Sequence, residues 1–535
     1  MRLSRNSSIR LPDSPDRSAL LGVAHQQKGS RMRIRPQSLT TAALFALCFL
    51  AGFLAHRAPA PRTVLAYAPT SLLPDHLSSS FSSSRAILST ATSCRLCDND
   101  PSNPLCEYGD SAIRLSRASE GSGVRVRKVL EKALRGEEIR FGVIGASVTA
   151  GHGLDHGGKV AGPAWPYRFI DEFKKTFPNS RIIDGSAPAM TSRFYSFCWK
   201  TMVPETEADI WLIELDVNNE QSQETLDADD ALMRSLLDQP NEPAVIRLSV
   251  LALSFGDMGR GLASNLLLSQ FFDTPIITVK NFLLPYLIQR PDLASDYFTN
   301  FPDGKPDLRH INIHPHNALA DFLTLYLLEQ TCITQQEMKR GRLLAKEGSM
   351  WPPEETYGRL PRLRAWQKFS TTEHAERITP TCNFASSKTY PLIPLTDSNH
   401  GVVPAASSDL TAIEEPHQAW QKMEWNDKVA IASKEVGSVI RFAVEGSKVG
   451  VFLWQWAGPR KSLASERPGR ATCWVDDLSD SAITLDTYST KEAAAPQWFM
   501  VHESLKAGSH ILSCEVANST STGGHEVRIM GVVAH

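Results

Sequence analysis

Five apolar runs lie between residues 137 and 280, and longer stretches of helical periodicity separate them. The runs cover residues 139–144, 181–183, 210–215, 244–253 and 275–279. Parallel strands that are buried on both faces give such unbroken runs, and a helix usually connects one strand to the next. The pattern therefore predicts an α/β fold with a parallel sheet over residues 137–332. A segment at 319–328 is apolar around most of its circumference, which predicts a buried closing helix.

From about residue 386 the hydrophobic pattern changes to short alternating runs between Gly, Ser and Asn turns. These runs cover residues 439–444, 448–454, 471–475 and 510–516. Alternation with a period of two indicates strands with one face in a core, so residues 386–535 are predicted to form a β-sandwich. Four of the six tryptophans of this region could stack on sugar rings, which would make it carbohydrate-binding, or could pack in its core; they are Trp425, Trp454, Trp456 and Trp474.

The N-terminal part has the distribution of charged and apolar residues that is typical of a membrane-anchored chain. Residues 1–38 hold eight Arg and Lys against two Asp, and residues 39–55 are uncharged and mostly apolar. We expect a basic cytosolic tail followed by a transmembrane signal anchor, and then a flexible Ser- and Pro-rich stem at 56–92. This arrangement predicts a single-pass type II protein of the Golgi or endoplasmic reticulum with the domains after residue 92 in the lumen. The alternative is a cleaved signal and a secreted chain.

Cysteine usage agrees with a lumenal or extracellular location. Eight of the nine cysteines follow residue 55. An even number in an oxidising compartment predicts disulfides, of which Cys473 with Cys514 is the favoured pair, while the other pairings stay open. Three of the cysteines lie in a lead-in segment at 93–136, and a helical connector is expected at 333–385. Asn518 begins a glycosylation sequon, which predicts a surface loop and a glycoprotein.

Net charge excludes one class of function. The chain carries a formal net charge of −2 and its pI is about 6.7, so it has no global basic field for nucleic acid. We expect no cofactor and no metal, and the sequence leaves the oligomeric state open.

The candidate chemistry begins where the first predicted strand ends. Residues 141–151 run from an apolar strand into a turn of small residues that carries Ser147. The next two strands are followed by Gly185 and by Asn218. Since the carboxyl ends of parallel strands share one edge, these residues are expected to meet there. Backbone N–H groups of Ser147 and Gly185 and the Asn218 amide could stabilise an oxyanion formed by attack of the serine. A structural turn or a phosphate-binding loop is the alternative for the Ser147 segment.

A base for this serine is expected just before the closing helix. Asp307 precedes His310 by three residues, so its carboxylate can orient the imidazole. His314 is the alternative base, and His316 is a further histidine of the same segment. The three histidines could also converge on zinc, although no acidic activator stands nearby.

These blocks, in this order, resemble the SGNH (GDSL-like) hydrolase superfamily, in particular its fungal, plant and algal branch. The resemblance covers residues 137–332 and includes Gly145-Ala-Ser147-Val-Thr, Gly185, the stretch 208–218 that ends in Asn218, and Asp307-x-x-His310. In the family, the catalytic histidine precedes an Ala-Asp pair by ten residues, which favours His310. Departures are Ala146 where Asp is usual, Asn219 where Asp is common, and His310-Ile where His-Pro is usual.

The resemblance implies a three-layer α/β/α flavodoxin-like fold and a Ser-His-Asp mechanism. Ser147 would be the nucleophile, Asp307 and His310 would complete the triad, and Ser147, Gly185 and Asn218 would form the oxyanion hole. We therefore expect a membrane-anchored esterase that hydrolyses acyl esters, in the first place acetyl esters, on glycans or other small ester substrates. The alternatives are an O-acyltransferase that uses the same site and a non-catalytic glycan-binding protein.

Overall fold

The computed structural model describes residues 93–535 except for 157–158, 161, 205–207, 302–303, 377–378, 396–418, 426–427, 458–466 and 491–493. The predicted tail, anchor and stem lie outside the described residues. Within them, no helix combines the length and the apolar character that crossing a bilayer requires.

The first half alternates strands and helices, as the hydrophobic pattern predicts. Its strands are β1 Arg117–Ser119, β2 Ile139–Gly145, β3 Asp155–His156, β4 Lys159–Val160, β5 Ser180–Asp184, β6 Ile210–Glu214, β7 Ala244–Ser249, β8 Ile276–Thr278, β9 Phe298–Asn300 and β10 Pro306–Ile311. Its helices are α1 Leu96–Asn99, α2 Gly109–Leu115, α3 Val124–Leu134, α4 Trp165–Thr176, α5 Ser192–Met202, α6 Gln223–Leu237, α7 Leu262–Phe271, α8 Lys280–Gln289 and α9 Ile313–Arg340.

Six strands form the central sheet in the order β1-β8-β7-β6-β2-β5. The five predicted strands pair in parallel, whereas β1 pairs with β8 in antiparallel fashion. Helices α3, α4 and α9 share one apolar core on one side of the sheet, and α5 and α6 contribute to a second core. The predicted three-layer α/β/α fold is therefore confirmed, with an additional antiparallel edge strand.

Two segments differ from the sequence prediction. Strand β7 ends at Ser249 although the apolar run continues to residue 253. Its last residues leave the sheet as a buried loop, and the Leu253 N–H donates to the Leu308 carbonyl at 2.7 Å. The connector at 333–385 is helical only at its start, since α9 ends at Arg340, and the described residues that follow form one short 3-10 turn, Glu354–Thr356, before β11.

The C-terminal half is the predicted β-sandwich. Its strands are β11 Thr381–Phe384, β12 Gln421–Trp425, β13 Lys428–Ser433, β14 Val439–Gly446, β15 Val449–Gln455, β16 Arg470–Val475, β17 Ile483–Asp486, β18 Ala495–His502, β19 Gly508–Val516 and β20 Val527–Ala534. One sheet has the order β12-β13-β20-β15-β18 with β11 on β20, and the other has the order β14-β19-β16-β17. The apolar faces of the two sheets meet in one core.

Eight cysteines form four disulfides among the described residues. The pairs are Cys94–Cys332, Cys97–Cys106, Cys198–Cys382 and Cys473–Cys514. The last pair is the one that the sequence favoured, and its cysteines lie opposite each other on β16 and β19. Cys198 of α5 is bonded to Cys382 of β11, so one disulfide joins the α/β domain to the sandwich sheet.

The same helix α5 carries most of the packing between the two halves. Phe194 contacts Phe384 and Phe452 edge to face, and Phe197 stacks on Trp498 with ring centroids 5.1 Å apart. A single apolar cluster contains residues of α5, the central sheet and the sandwich. The two halves therefore share a core.

Candidate active site

Ser147 occupies a tight turn at the carboxyl end of β2. The turn is closed by the N–H of Ala150, which donates to the Ala146 carbonyl at 3.0 Å, and by that of His152, which donates to the Ser147 carbonyl at 2.9 Å. Gly145 permits this turn because a Cβ there would overlap the side chain of Thr149. The Ser147 side chain is half-buried at the edge of the sheet, as the sequence predicts.

The structure brings Ser147, His310 and Asp307 into one line of hydrogen bonds. His310 Nε2 lies 3.1 Å from Ser147 Oγ, and His310 Nδ1 lies 2.5 Å from Asp307 Oδ2. A carboxylate only accepts, so Nδ1 carries the proton and Nε2 is free to accept the serine proton. This is the arrangement that nucleophilic catalysis by serine requires.

The backbone holds the Asp307–His310 segment in an irregular strand. The pairing of β10 with β9 shifts register between Pro306 and Ile311, and Leu308 has a φ of 56°. The Leu308 carbonyl accepts from both Leu253 and Ser254, at 2.7 and 3.1 Å. This left-handed residue costs energy for a side chain other than glycine, and the buried loop after β7 stabilises it.

Gly153 allows the His310 segment to approach the turn that carries Ser147. Its φ is 94°, and a Cβ there would lie 2.8 Å from the Cβ of His310. The Gly153 carbonyl also accepts from the Thr299 hydroxyl at 2.8 Å. The loop after Ser147 and the histidine strand are therefore in direct contact.

Burial lowers the pKa of His310 from its ordinary value of 6.5. The hydrogen bond and charge of Asp307 act in the opposite direction, and the positive forms of His152 and Arg309 add to the lowering. Since burial dominates, His310 is neutral at pH 7 and can act as a base.

The other two histidines have different surroundings. His314 is exposed, and its backbone N–H donates to the Asn312 side chain at the start of α9. His316 is fully buried, and its Nδ1 accepts from the Trp165 backbone N–H at 3.1 Å. Burial lowers the pKa of His316 to about 3. Of the three histidines, only His310 is hydrogen-bonded to Ser147.

The predicted oxyanion donors are only partly available. The Asn218 side chain is half-buried and forms no hydrogen bond within the described part of the chain, and neither does the Ser147 backbone N–H. The Gly185 N–H, in contrast, donates to the Val143 carbonyl at 3.0 Å. Gly185 is thus engaged in extending the β5 pairing and has no N–H free for an oxyanion, which corrects the expectation drawn from the resemblance.

The residue that sequence reasoning missed is Ala189, four positions after Gly185. The other N–H groups from 185 to 190 are occupied: Ser186 donates to Asp184 Oδ1, Ala187 to the Gly145 carbonyl and Met190 to the Ala187 carbonyl, and Pro188 has none. The Ala189 N–H has no partner among the described residues, and Ala189 has a φ of 67°. Because a left-handed position usually selects glycine, an alanine there gave no signal in the sequence.

Ala189 and Asn218 line a common cavity of about 310 Å³. Arg193, Arg260 and Phe255 also line it, with Arg260 stacked on the Phe255 ring at 4.6 Å. Ala495 and Gln497 of β18 complete the lining, so the sandwich contributes to this cavity. Polar groups beside one aromatic ring suit a hydrated ligand such as a sugar.

The four sandwich tryptophans considered for sugar stacking do not form one exposed face. Trp454 and Trp456 are buried in the core shared with the α/β domain, and Trp425 packs at its margin. The Arg528 guanidinium lies between the rings of Trp425 and Trp456, at 4.6 and 4.5 Å. Trp474 lies on β16 in the other sheet. Core packing explains the first three, and their rings are not displayed for stacking.

Comparisons with known proteins identify the architecture. No protein-family model and no curated protein sequence matches this chain. The chain is similar to the crystal structure of a two-domain esterase (CEX) active on acetylated mannans, with a TM-score of 0.52 and 15% identity over 79% of this chain and 98% of that chain. A structure of that esterase co-crystallized with mannopentaose gives a TM-score of 0.51 and 16% identity over 79% and 97%.

This likeness defines the fold. The chain has a three-layer α/β/α domain followed by a β-sandwich, and it is similar in fold to that two-domain structure.

Proposed function

We propose that this protein is a serine esterase that hydrolyses acetyl esters on glycans. The observation that supports it most directly is the hydrogen-bonded line from Ser147 through His310 to Asp307. Ser147 lies at the carboxyl edge of a parallel sheet, where chemistry occurs in such folds, and Asn218, which follows the neighbouring strand, lines the polar cavity.

Each residue has a defined role in the proposed reaction. Ser147 Oγ attacks the ester carbonyl while His310 Nε2 takes its proton, and Asp307 stabilises the imidazolium that forms. The imidazolium then protonates the leaving sugar oxygen, which breaks the ester bond and leaves acetyl-Ser147. Water activated by His310 releases acetate in the second half. The N–H groups of Ser147 and Ala189 and the Asn218 amide are proposed to bind the oxyanion.

Glycan substrates are supported by the fold and by the cavity. Two solved structures that share the fold belong to an esterase active on acetylated mannans. The cavity beside Asn218 offers Thr191, Glu220 and Gln497 as hydrogen-bonding groups and Phe255 as a flat apolar surface. Acetylated mannan is therefore the first substrate to test.

We further propose that residues 39–55 anchor the chain in a Golgi or endoplasmic reticulum membrane, with the catalytic domain in the lumen. Four disulfides and an exposed Asn518 sequon support an oxidising, glycosylating compartment. Immunolocalisation with selective permeabilisation and an N-glycosidase shift tests this proposal, and a cytosolic epitope after residue 93 would contradict it.

Acetate release from acetylated mannan tests the proposed activity. We expect steady release by the purified protein and a loss of about 10³-fold or more in Ser147→Ala, since removal of a triad member leaves only binding and oxyanion stabilisation. Product analysis with unacetylated oligosaccharide present distinguishes hydrolysis from acyl transfer. Equal activity of Ser147→Ala and the unmodified protein would contradict the proposal.

A further inference from the structure

A buried carboxyl group lies behind the nucleophile turn. Glu214 ends β6, where it is paired with Gly145 at the end of β2, and it is 1% exposed. Its Oε2 accepts from the Thr149 hydroxyl at 2.8 Å, and the Thr149 backbone N–H also bonds to the carboxyl group. Thr149 stands two residues after Ser147 in the same turn. Glu214 is therefore connected to the nucleophile through one residue.

A second buried group fixes Thr149 from the opposite side. The indole N–H of Trp165, at the start of α4, donates to Thr149 Oγ1 at 3.3 Å. The hydroxyl of Thr149 thus accepts from Trp165 and donates to Glu214, and all three side chains are buried. Because the Thr149 hydroxyl both donates and accepts a hydrogen bond, it has one orientation. This fixes the turn that presents Ser147.

The charge state of Glu214 depends on groups from several elements. The charge of Asp216, two residues after the end of β6, raises the pKa of Glu214, whereas the charge of Lys280 of α8 lowers it. Lys280 Nζ lies 3.0 Å from Asp216 Oδ2, so its charge is used mainly there. Tyr195 of α5 is the other titratable group near the carboxyl, and its own pKa is raised mainly by burial. Glu214 Oε1 has no hydrogen-bond partner among the described residues.

Burial is the largest cause that raises the pKa of Glu214, to about 8. The cost of burying the negative charge exceeds the stabilisation by Thr149 and Lys280, so the group keeps its proton at neutral pH. Above that pH the proton leaves to solvent, and a negative charge appears behind the turn where the reaction itself develops negative charge. That charge opposes oxyanion formation.

We propose that Glu214 is a positioning residue for Ser147: its carboxyl group holds the turn that carries Ser147 through Thr149, and its ionisation lowers turnover at alkaline pH. This inference rests on the esterase activity proposed above. Ionisation of the buried Glu214 carboxyl group would cause the fall in rate expected at alkaline pH. Protonation of His310 would cause the fall expected at acid pH.

The test compares kcat and KM for an aryl acetate between pH 5 and 10 in the purified protein and in four variants. In the unmodified protein, kcat should fall about tenfold as the pH rises through about 8. Glu214→Gln, which stays neutral and still accepts from Thr149, should lose this alkaline fall but keep the acid limb. Thr149→Val should lower kcat about tenfold with KM little changed, and Thr149→Ser should restore most of it.

Glu329→Gln is the matched control. Glu329 is also buried with a raised pKa, but it contacts Arg117 and the Leu96 N–H, outside the site. We expect this variant to keep the pH profile of the unmodified protein. An alkaline fall that persists in Glu214→Gln, or a Thr149→Val variant with unchanged kcat, would overturn the proposal.

Thermal unfolding separates this proposal from the proposed function. A pKa raised from 4.5 to about 8 gives stability that is complete below pH 4.5 and is lost as the pH rises to about 8. The Tm of the unmodified protein should therefore fall relative to that of Glu214→Gln across this range. If that difference appears but no variant hydrolyses esters, the esterase proposal fails while the ionisation of Glu214 stands. If the Tm difference is absent, the role of Glu214 is refuted whatever the activity.

Discussion

At the residue scale, the site depends on a histidine whose two ring nitrogens have different partners. Asp307 holds Nδ1 and Ser147 faces Nε2, so the base is set in the productive tautomer. The structure also distinguishes the candidate bases. His314 is exposed to solvent at the start of α9, and Nδ1 of the buried His316 accepts a hydrogen bond from the Trp165 backbone N–H.

The acid limb of the activity should report His310. Because burial lowers its pKa, kcat/KM should rise with pH through a value below 6.5. Asp307→Asn removes an interaction that raises this pKa, so the limb should move to still lower pH while kcat falls on the order of 10³–10⁴-fold. A pH–rate profile measures both effects. An unchanged kcat in this variant would exclude Asp307 from the triad.

The Ala189 backbone N–H is proposed to donate to the oxyanion. Substitutions at this position test that role through their effect on the backbone. Ala189→Gly keeps the N–H and suits a φ of 67°, whereas Ala189→Pro removes it and is restricted to negative φ. We expect near-normal kcat in the glycine variant and a fall of about 10²-fold in the proline variant. Circular dichroism should confirm that both are folded. If the proline variant is folded and fully active, Ala189 is not a donor.

Sequence reasoning located most of this site for a physical reason. Ser147, Asn218, Asp307 and His310 each combine a side chain of particular chemistry with a strand end or a short spacing, and both properties are visible in one dimension. A backbone N–H donor such as that of Ala189 cannot be recognised from the side chain. Whether the N–H is free depends on the hydrogen bonds that the folded backbone forms around it. Gly185 had the expected residue type but a different hydrogen bond.

At the scale of elements, apolar runs predicted the parallel strands because burial on both faces requires them. Strand β1 escaped prediction because Arg117, Ala118 and Ser119 have no such pattern and the strand lies at the sheet edge. The fourth run extended too far because residues 250–252 are as buried as a strand but serve a loop. The hydrophobic pattern of the sequence indicates which residues are buried. Whether a buried segment is a strand or a loop depends on its backbone hydrogen bonds.

The disulfides allow a prediction about how α9 is held. Cys94–Cys332 links residues 238 positions apart, whereas Cys97–Cys106 spans 9. Loop-closure entropy gives a stabilisation of about 5 kcal/mol for the long loop and about 3 kcal/mol for the short one. Denaturant unfolding of Cys94→Ser/Cys332→Ser and Cys97→Ser/Cys106→Ser should therefore rank the first as less stable. The reverse order would show that the lead-in is held to α9 mainly by other contacts.

At the scale of the whole molecule, the sandwich is part of the folding unit. Cys198–Cys382 and the Thr201 hydroxyl, which donates to the Cys382 carbonyl at 2.7 Å, join α5 to the sandwich across a common apolar core. β18 of the same domain also lines the cavity at Ala495 and Gln497. The sandwich thus supports the α/β domain and borders the proposed substrate site.

This shared core predicts cooperative unfolding. Calorimetry of the purified protein should give one transition for both domains, because separating them exposes a large apolar surface. A chain ending at Arg340 should aggregate or unfold at a markedly lower temperature. Two independent transitions, or a stable and active truncated chain, would contradict the structural role of the sandwich.

The most direct test of the central claim is covalent labelling of the nucleophile. The protein is treated with a fluorophosphonate at pH 7, and the modified residue is located by peptide mass spectrometry. We expect one adduct on Ser147, formed on the order of 10³-fold more slowly in His310→Ala and at a normal rate in His314→Ala. An unlabelled Ser147, or labelling that depends on His314 and not on His310, would contradict it.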